Sequence, residues 1–258
     1  MTAPAKRASI SVIVVAMNEA HDIGDCLRSV RDWADEMIVF DSGSTDGTQA
    51  LCRELGAKVF ETDWPGDGPQ KNRALDQATS EWVLCLDADE HVGEQLRGEI
   101  LQLLENGSEH AAFSTPRRSR FCGKFMAHSG WWPDRIVRLF RREKGRFTDV
   151  RTHTHLKIDG STGRFNGPII HYAVADLHES LAKVNDYSSA GALTMQERGK
   201  TASLASAIGH GFWAFFRTYI IKRGFLDGAE GFVLAVSNAE VSYYKYVKLM
   251  LMNKNKAR

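Results

Sequence analysis

The chain has only four cysteines in 258 residues, Cys26, Cys52, Cys85 and Cys122, and no two of them form a Cys-x-x-Cys pair. The first three sit in apolar or helical patterns, where free thiols behave as small hydrophobes; that predicts a reducing compartment. No apolar run approaches the roughly 18 residues that suggest a spanning helix. Residues 1–9 carry bases but no apolar segment of the kind a signal peptide needs, so a cytoplasmic protein is expected. The net charge is only +1, which argues against a general nucleic-acid binder. No Gly-x-Gly-x-x-Gly follows the first apolar run, and no Gly-x-x-x-x-Gly-Lys-[Ser/Thr] loop occurs. A dinucleotide-binding dehydrogenase and a P-loop NTPase are therefore both poorly supported. What remains is an ordinary globular composition, 43% hydrophobic and 25% charged, in a chain long enough to bury a substantial core.

The most informative stretch is Leu84-Cys85-Leu86-Asp87-Ala88-Asp89-Glu90. Trp82 to Leu86 reads as a short buried strand, and it ends in three acids. Alternation along extended chain would turn Asp87 and Asp89 to the same side. Two carboxylates at a strand's C-terminal edge make a hard-oxygen site suited to Mg²⁺ or Mn²⁺, ions that keep waters and share a substrate diphosphate. An isolated Asp-x-Asp is more often a solvated acidic turn, so the surrounding pattern has to decide.

That pattern is an alternation of strands and helices. Ile10 to Val15 is a β-branched run expected of a strand buried on both faces, followed by Asn18-Glu19 and a helical pattern through Ile23, Leu27, Val30 and Trp33. A second strand, Met37 to Phe40, runs into Asp41 and a cap-rich turn, Ser42-Gly-Ser-Thr-Asp-Gly-Thr48. A third strand covers Lys58 to Glu61, and a helix then carries Lys71, Asn72 and Arg73. Such spacing predicts an α/β fold with an open, mostly parallel sheet. Ligands in these sheets bind outside the carboxyl ends of the strands, where Asn18-Glu19, Asp41 and Asp87/Asp89 all fall. From Ala111 the alternation breaks. The pattern then predicts a strand from Phe113, an Arg- and Gly-rich loop over 117–130, and a strand over Ile136 to Phe140 after Trp131-Trp-Pro-Asp134. It further predicts a hairpin turning at Asp159-Gly160, and helices over about 176–197, 203–222 and 228–252.

Ile10–Glu19, Asp41–Thr48, Gln70-Lys-Asn-Arg73 and Asp87-Ala-Asp-Glu90 resemble, in order and spacing, the family-2 glycosyltransferases of GT-A fold. Met17 stands where those enzymes usually carry an aromatic. Trp132-Pro-Asp-Arg135, Arg138-Leu-Phe-Arg-Arg142, His171-Tyr172, Lys183, Asn185, Tyr187 and Gly224-Phe-Leu-Asp-Gly228 resemble the lipopolysaccharide-core β-1,4-glucosyltransferase branch. That branch often has His-Glu where this chain reads Thr152-His153-Thr154-His155, so no acidic role passes to Thr154. The resemblance implies a metal-dependent hexosyltransferase using a UDP-sugar, with glucose resting on the resemblance alone. It implies a heptose of the lipopolysaccharide inner core as acceptor. Asp89, helped by Asp87, would hold the divalent metal, while Asp41 and Glu19 would contact the nucleoside and Lys71 the phosphate. Asp134 would be the base that deprotonates the acceptor hydroxyl, giving inversion. Its alternative is a salt bridge to Arg135 or Arg138; for Asp41 the alternative is a turn cap, and for Lys71 a solvated helix face.

Other readings stay open at this level. The acceptor could be another cell-envelope glycan or a polyprenyl-phosphate sugar, and a non-catalytic sugar-nucleotide-binding or scaffold protein is the rival of another class. His153 and His155 share a strand face as a candidate Zn²⁺ pair, and either, or His171, could bind diphosphate or acceptor. From Gly199 onward nine bases meet three acids, a net +6, interleaved with aromatics such as Phe212-Trp-Ala-Phe-Phe216 and Tyr243-Tyr-Lys-Tyr246. That predicts a membrane-surface element, which the lipid-linked acceptor implied by the resemblance would place on the cytoplasmic face of the inner membrane, unless those aromatics pack on the core and the bases form a solvated rim. The expected organisation is a flexible N-terminus over 1–8, a GT-A domain over 9–175 and a helical basic region over 176–258.

Overall fold

The computed structural model describes residues 7–149 and 154–256; residues 1–6 of the expected flexible N-terminus and His153 of the candidate zinc pair lie outside the described residues. The chain divides into two compact units, Met1–Arg117 with Arg135–His171, and Arg118–Asp134 with Tyr172–Arg258.

The first unit opens as the alternation predicts: β1 (Ile10–Ala16), α1 (Ile23–Arg28), β2 (Glu36–Asp41), α2 (Thr48–Glu54), β3 (Lys58–Glu61), α3 (Asp67–Gln77) and β4 (Trp82–Asp87). Then come β5 (Glu90–Val92), α4 (Glu94–Asn106), β6 (Ala112–Phe121), β7 (Lys124–Phe125), β8 (Asp134–Arg141), β9 (Gly145–Phe147), β10 (Leu156–Ile158), β11 (Thr162–Arg164) and β12 (Ile169–Val174). The main sheet runs β3-β2-β1-β4-β8-β6-β12-β5. Its first four strands are mutually parallel because each is joined to the next by a helical crossover. Beyond β4 the pairing is mixed: its other neighbour, β8, is antiparallel, as β12 is to β5, whereas β11 joins β6 in parallel.

The β-branched run of β1 has the two-sided burial its sequence implies. Ile10, Val12 and Val14 join Trp82, Leu84 and Leu86 in a core with α1 and α4, whereas Ile13 joins Ile38, Phe40, Val83 and Cys85 in a core with α3. Period-two alternation thus feeds two helical layers from one set of strands. Helix α3 lies so near the segment before β10 that a Cβ on Gly68 would fall 1.9 Å from the Thr148 carbonyl oxygen.

Two expectations fail. The hairpin at Asp159-Gly160 is absent: β10 pairs with β9 in a separate two-stranded sheet, while β11 pairs in parallel with β6. Asp-Gly is a strong local turn signal, but the partners on offer here are non-local strands that the signal cannot see. The Arg- and Gly-rich segment is not all loop either. β6 continues to Phe121, turns at Cys122 and Gly123 (φ 46° and 90°) and returns as β7.

The second unit is helical: α5 (Leu177–Glu197), α6 (Leu204–Phe216), a π-helical turn Arg217–Ile221, and α7 (Gly228–Lys256), which packs on both α5 and α6. Asp176 caps α5 by accepting from the Glu179 N–H at 2.9 Å, and Ser203 and Ser206 form a reciprocal capping box on α6. Phe121, Met126, Ala173, Val174 and Leu234 form its core. All four cysteines are free. Among the described residues no helix is long and apolar enough to cross a membrane.

Candidate functional site

The loops after β1 and β2 are stitched together. Asn18 adopts a left-handed φ of 57°, accepts from the Thr45 N–H at 2.9 Å and donates its own N–H to Ser44 Oγ at 2.7 Å. The Glu19 N–H donates to Thr48 Oγ1 at 2.8 Å, and the Ala20 N–H to Asp46 Oδ2 at 3.0 Å. Asp41 is fully buried beneath this turn. Its Oδ1 accepts from the Gly43 and Ser44 N–H groups and from Gln49 Nε2 (3.1, 2.9 and 2.5 Å), and its Oδ2 from the Ser44 hydroxyl. Burial alone would raise the Asp41 carboxyl; these donors outweigh it and hold it below its ordinary value. The Ser/Thr/Asp/Gly richness of 41–48 is therefore what two adjacent strand ends need to satisfy each other's backbone. Glu19, half-buried, sits on the same edge.

At the end of β4, Asp87 is the centre of a charge network. Lys71, on α3 and itself buried, places Nζ 3.1 Å from Asp67 and 3.0 Å from Asp87. Arg138, from β8, donates to Asp87 and, at 2.7 Å, to the wholly buried Glu90. Burial pushes the Asp87 carboxyl up, but Arg138 and then Lys71 overcome that and hold it well below the carboxylate range. Burial would likewise lower Lys71, yet Asp87 more than compensates and keeps it a cation. Lys71 is thus neither a solvated helix residue nor a lone cation awaiting a ligand.

Asp89 goes elsewhere. Extended chain to residue 89 would have kept it beside Asp87, but the strand ends at Asp87 and the backbone turns through Ala88 and Asp89. Its Oδ2 lies 3.2 Å from His171 Nε2, brought 82 residues along the chain by the antiparallel pairing of β12 with β5. Among the described residues no group of three or more His, Cys, Asp or Glu converges as a metal cage. A carboxylate and an imidazole that close, both partly accessible, nevertheless suit a divalent cation that keeps waters and takes its remaining oxygens from a diphosphate. His171 is the residue whose role the sequence reading left open, because only strand pairing places it next to Asp89. His155 is exposed, its N–H bonded to Thr148 Oγ1 at 3.0 Å.

Asp134 belongs to the second unit, half-buried at the start of β8. Nearby on β8, Arg138 donates to Asp87 and Glu90, and Arg135 to the carbonyls of Ser114 and Phe165. The loop leading to Asp134 is held from the helical side. Asp227, 2% exposed, accepts from the N–H groups of Ala127 and His128 (3.0 and 3.1 Å) and from Ser129 Oγ at 2.8 Å. That clamp sustains the left-handed Ser129 and Gly130 (φ 59° and 78°) ahead of Trp131, whose ring meets Phe121 edge-on at 5.7 Å. The carboxylate of the Gly224–Gly228 motif therefore has a structural task in this loop.

A family model described as glycosyl transferase family 2 matches residues 11–165. A glycosyltransferase of Rickettsia felis is 29% identical over 95% of this chain and 92% of its own. The lipopolysaccharide core biosynthesis glycosyltransferase LpsC of Rhizobium meliloti is 28% identical over 96% of this chain and 94% of its own. Among solved structures, glucosyl-3-phosphoglycerate synthase from Mycobacterium tuberculosis aligns over 44% of each chain at 26% identity, with a TM-score of 0.37.

Proposed function

We propose, for a chain that belongs to glycosyl transferase family 2, that it moves a hexose from a UDP-sugar onto a hydroxyl of a lipid-linked saccharide with inversion at the anomeric carbon. The likeness to LpsC, named for lipopolysaccharide core biosynthesis, supports a lipopolysaccharide-core acceptor; within this reading the acceptor is an inner-core heptose, met at the cytoplasmic face of the inner membrane. Glucose as the sugar follows from the likeness of Trp132–Arg135 and Gly224–Gly228 to core β-1,4-glucosyltransferases.

The observation that carries the reading is the Asp89–His171 pair, 3.2 Å apart at the edge where the parallel strands end. Mg²⁺ or Mn²⁺ held by Asp89 and His171, with Asp87 reached through water or the ribose, would supply Lewis-acid stabilisation of the departing diphosphate. Lys71 and Arg138 keep Asp87 ionised and add positive charge where that diphosphate arrives. Asp41 acts through the turn it shapes, and Glu19 contacts the nucleoside. Asp134 takes the proton of the attacking acceptor hydroxyl. A single displacement with one base inverts configuration.

Calorimetry with UDP, GDP and CDP, with and without Mn²⁺, on wild type, Asp89→Ala and His171→Ala tests this. UDP affinity that needs Mn²⁺, and falls at least about tenfold in either variant, is expected. Metal-independent UDP binding would remove the metal from the reading, and a preference for GDP would remove the UDP-sugar. Nucleotide binding without transfer from any UDP-sugar to truncated lipopolysaccharide would favour a non-catalytic binding protein.

A further inference from the structure

Helix α6 and the π-helical turn after it turn an apolar face to solvent. Leu204, Ile208, Phe212 and Phe216 recur every fourth residue, and Trp213, Ile220 and Ile221 extend the patch; Phe212 is 69% exposed and Trp213 53%. Ile208 and Phe212 also line an apolar groove of about 410 Å³ between α6 and α7, floored by Val236 and Ala239. Contiguous patches of this kind mark an interaction surface. Charge selects the partner. Between Thr201 and Leu226 the chain carries Arg217, Lys222 and Arg223 and no acid. Arg217 and Arg223 are exposed. A second copy docked on the same face would gather four exposed arginines against two Glu240 carboxylates, the acid that lines the groove, and so keep an excess of positive charge. An anionic bilayer answers the arginines with phosphates, and its acyl layer answers the aromatics.

We infer that α6 and residues 217–226 lie flat in the headgroup–acyl boundary of an anionic phospholipid bilayer, Phe212, Trp213, Phe216 and Ile220 in the apolar layer and Arg217 and Arg223 among the phosphates. The inference rests on the membrane placement proposed above and names the surface that makes it; it does not depend on the nucleotide site.

Co-sedimentation of the full chain with vesicles of phosphatidylcholine alone, or of equal parts phosphatidylcholine and phosphatidylglycerol, tests it. Binding to the mixed vesicles, weakened by salt, is expected. Phe212→Ser/Trp213→Ser should lose at least about tenfold in vesicle affinity while keeping UDP binding and circular dichroism, and Arg217→Gln/Arg223→Gln about fivefold per base. Asp89→Ala should bind vesicles like wild type, so failure of the nucleotide reading and failure of this one are separable. Hydrogen exchange on the unaltered protein gives a measurement independent of any variant: protection over 204–226 should rise on mixed vesicles. Equal binding to both vesicle types, full affinity in the Phe212/Trp213 variant, or unchanged exchange would overturn the inference. So would a dimer in velocity sedimentation that the Phe212/Trp213 variant dissolves while no vesicle is bound.

Discussion

Replacing Arg138 by methionine removes the charge between Asp87 and Glu90 with little change in length. Glu90 is 0% exposed, and Arg138 donates to it at 2.7 Å. Leaving one member of a buried pair uncompensated costs roughly 3–5 kcal/mol; Arg117, whose Nη1 lies 3.6 Å from Glu90 Oε1, retains part of the compensation here. Asp87 adds little beyond that, because its side chain is 34% exposed and Lys71 stays 3.0 Å away. Against this, Arg138 Nε is buried with no hydrogen-bond partner among the described residues. Its removal returns part of the roughly 1–3 kcal/mol that such an orphan costs. With Arg117 still beside Glu90, the expected net loss is about 1–3 kcal/mol, or roughly 2–12 °C in melting temperature for a protein of this size. Arg138→Met/Glu90→Gln discharges both groups. The amide oxygen of the second substitution could still accept from the Asp87 N–H, which Glu90 now takes at 3.2 Å; at least half the loss should return. Thermal melts by circular dichroism at neutral pH read both variants. A single variant as stable as wild type, or a double variant less stable than the single, would refute the view that Arg138 compensates a buried charge.

Three further outcomes are expected. Asp134→Asn should lower kcat by about 10²–10⁴-fold, the range of a lost general base, with UDP affinity by calorimetry unchanged. Glu36, whose side chain is 7% exposed, accepts from Ser11 Oγ and the Thr79 N–H (2.6 Å each) and from Lys58 at 2.9 Å. Burial pushes its carboxyl up, but these donors bring it from 4.5 down to about 2. A depressed carboxylate stabilises the fold above its unfolded value and loses that contribution as pH falls through the folded one. About 3 kcal/mol should therefore disappear between roughly pH 4.5 and 2, and urea midpoints for Glu36→Gln should lack that step. Asp227→Ala should cost about 3–5 kcal/mol by stranding the buried donors of residues 127–129 and open that loop to limited proteolysis; Asp227→Asn, which keeps an acceptor, should cost less.

The parallel half of the sheet could be read from sequence because its signals are local and redundant. β1, β2 and β4 are apolar runs ending in polar clusters, each followed by helical periodicity, and both faces of β1 are buried as its composition requires. Helices α5, α6 and α7 are similarly visible as long periodic segments. Beyond Ala111 the signals thin out. The three-residue strands β9, β10 and β11 are too short to carry a period, and their partners lie far along the chain. The Asp41–Thr48 segment announced a turn, but its bonds to Asn18, Glu19 and Ala20 depend on β1 and β2 lying side by side.

By itself the sequence determined an α/β chain with an open sheet, a helical C-terminal part and acids gathered at one strand edge, because side-chain periodicity and strand-end punctuation act over a few residues. The tertiary structure alone decided the company those acids keep. Asp87 is claimed by Lys71 and Arg138, 16 and 51 residues away, and Asp89 meets His171 across 82. Charges and imidazoles act through space over a few ångströms, and which of them come that close is set by the order in which strands pair, a property of no local stretch of chain.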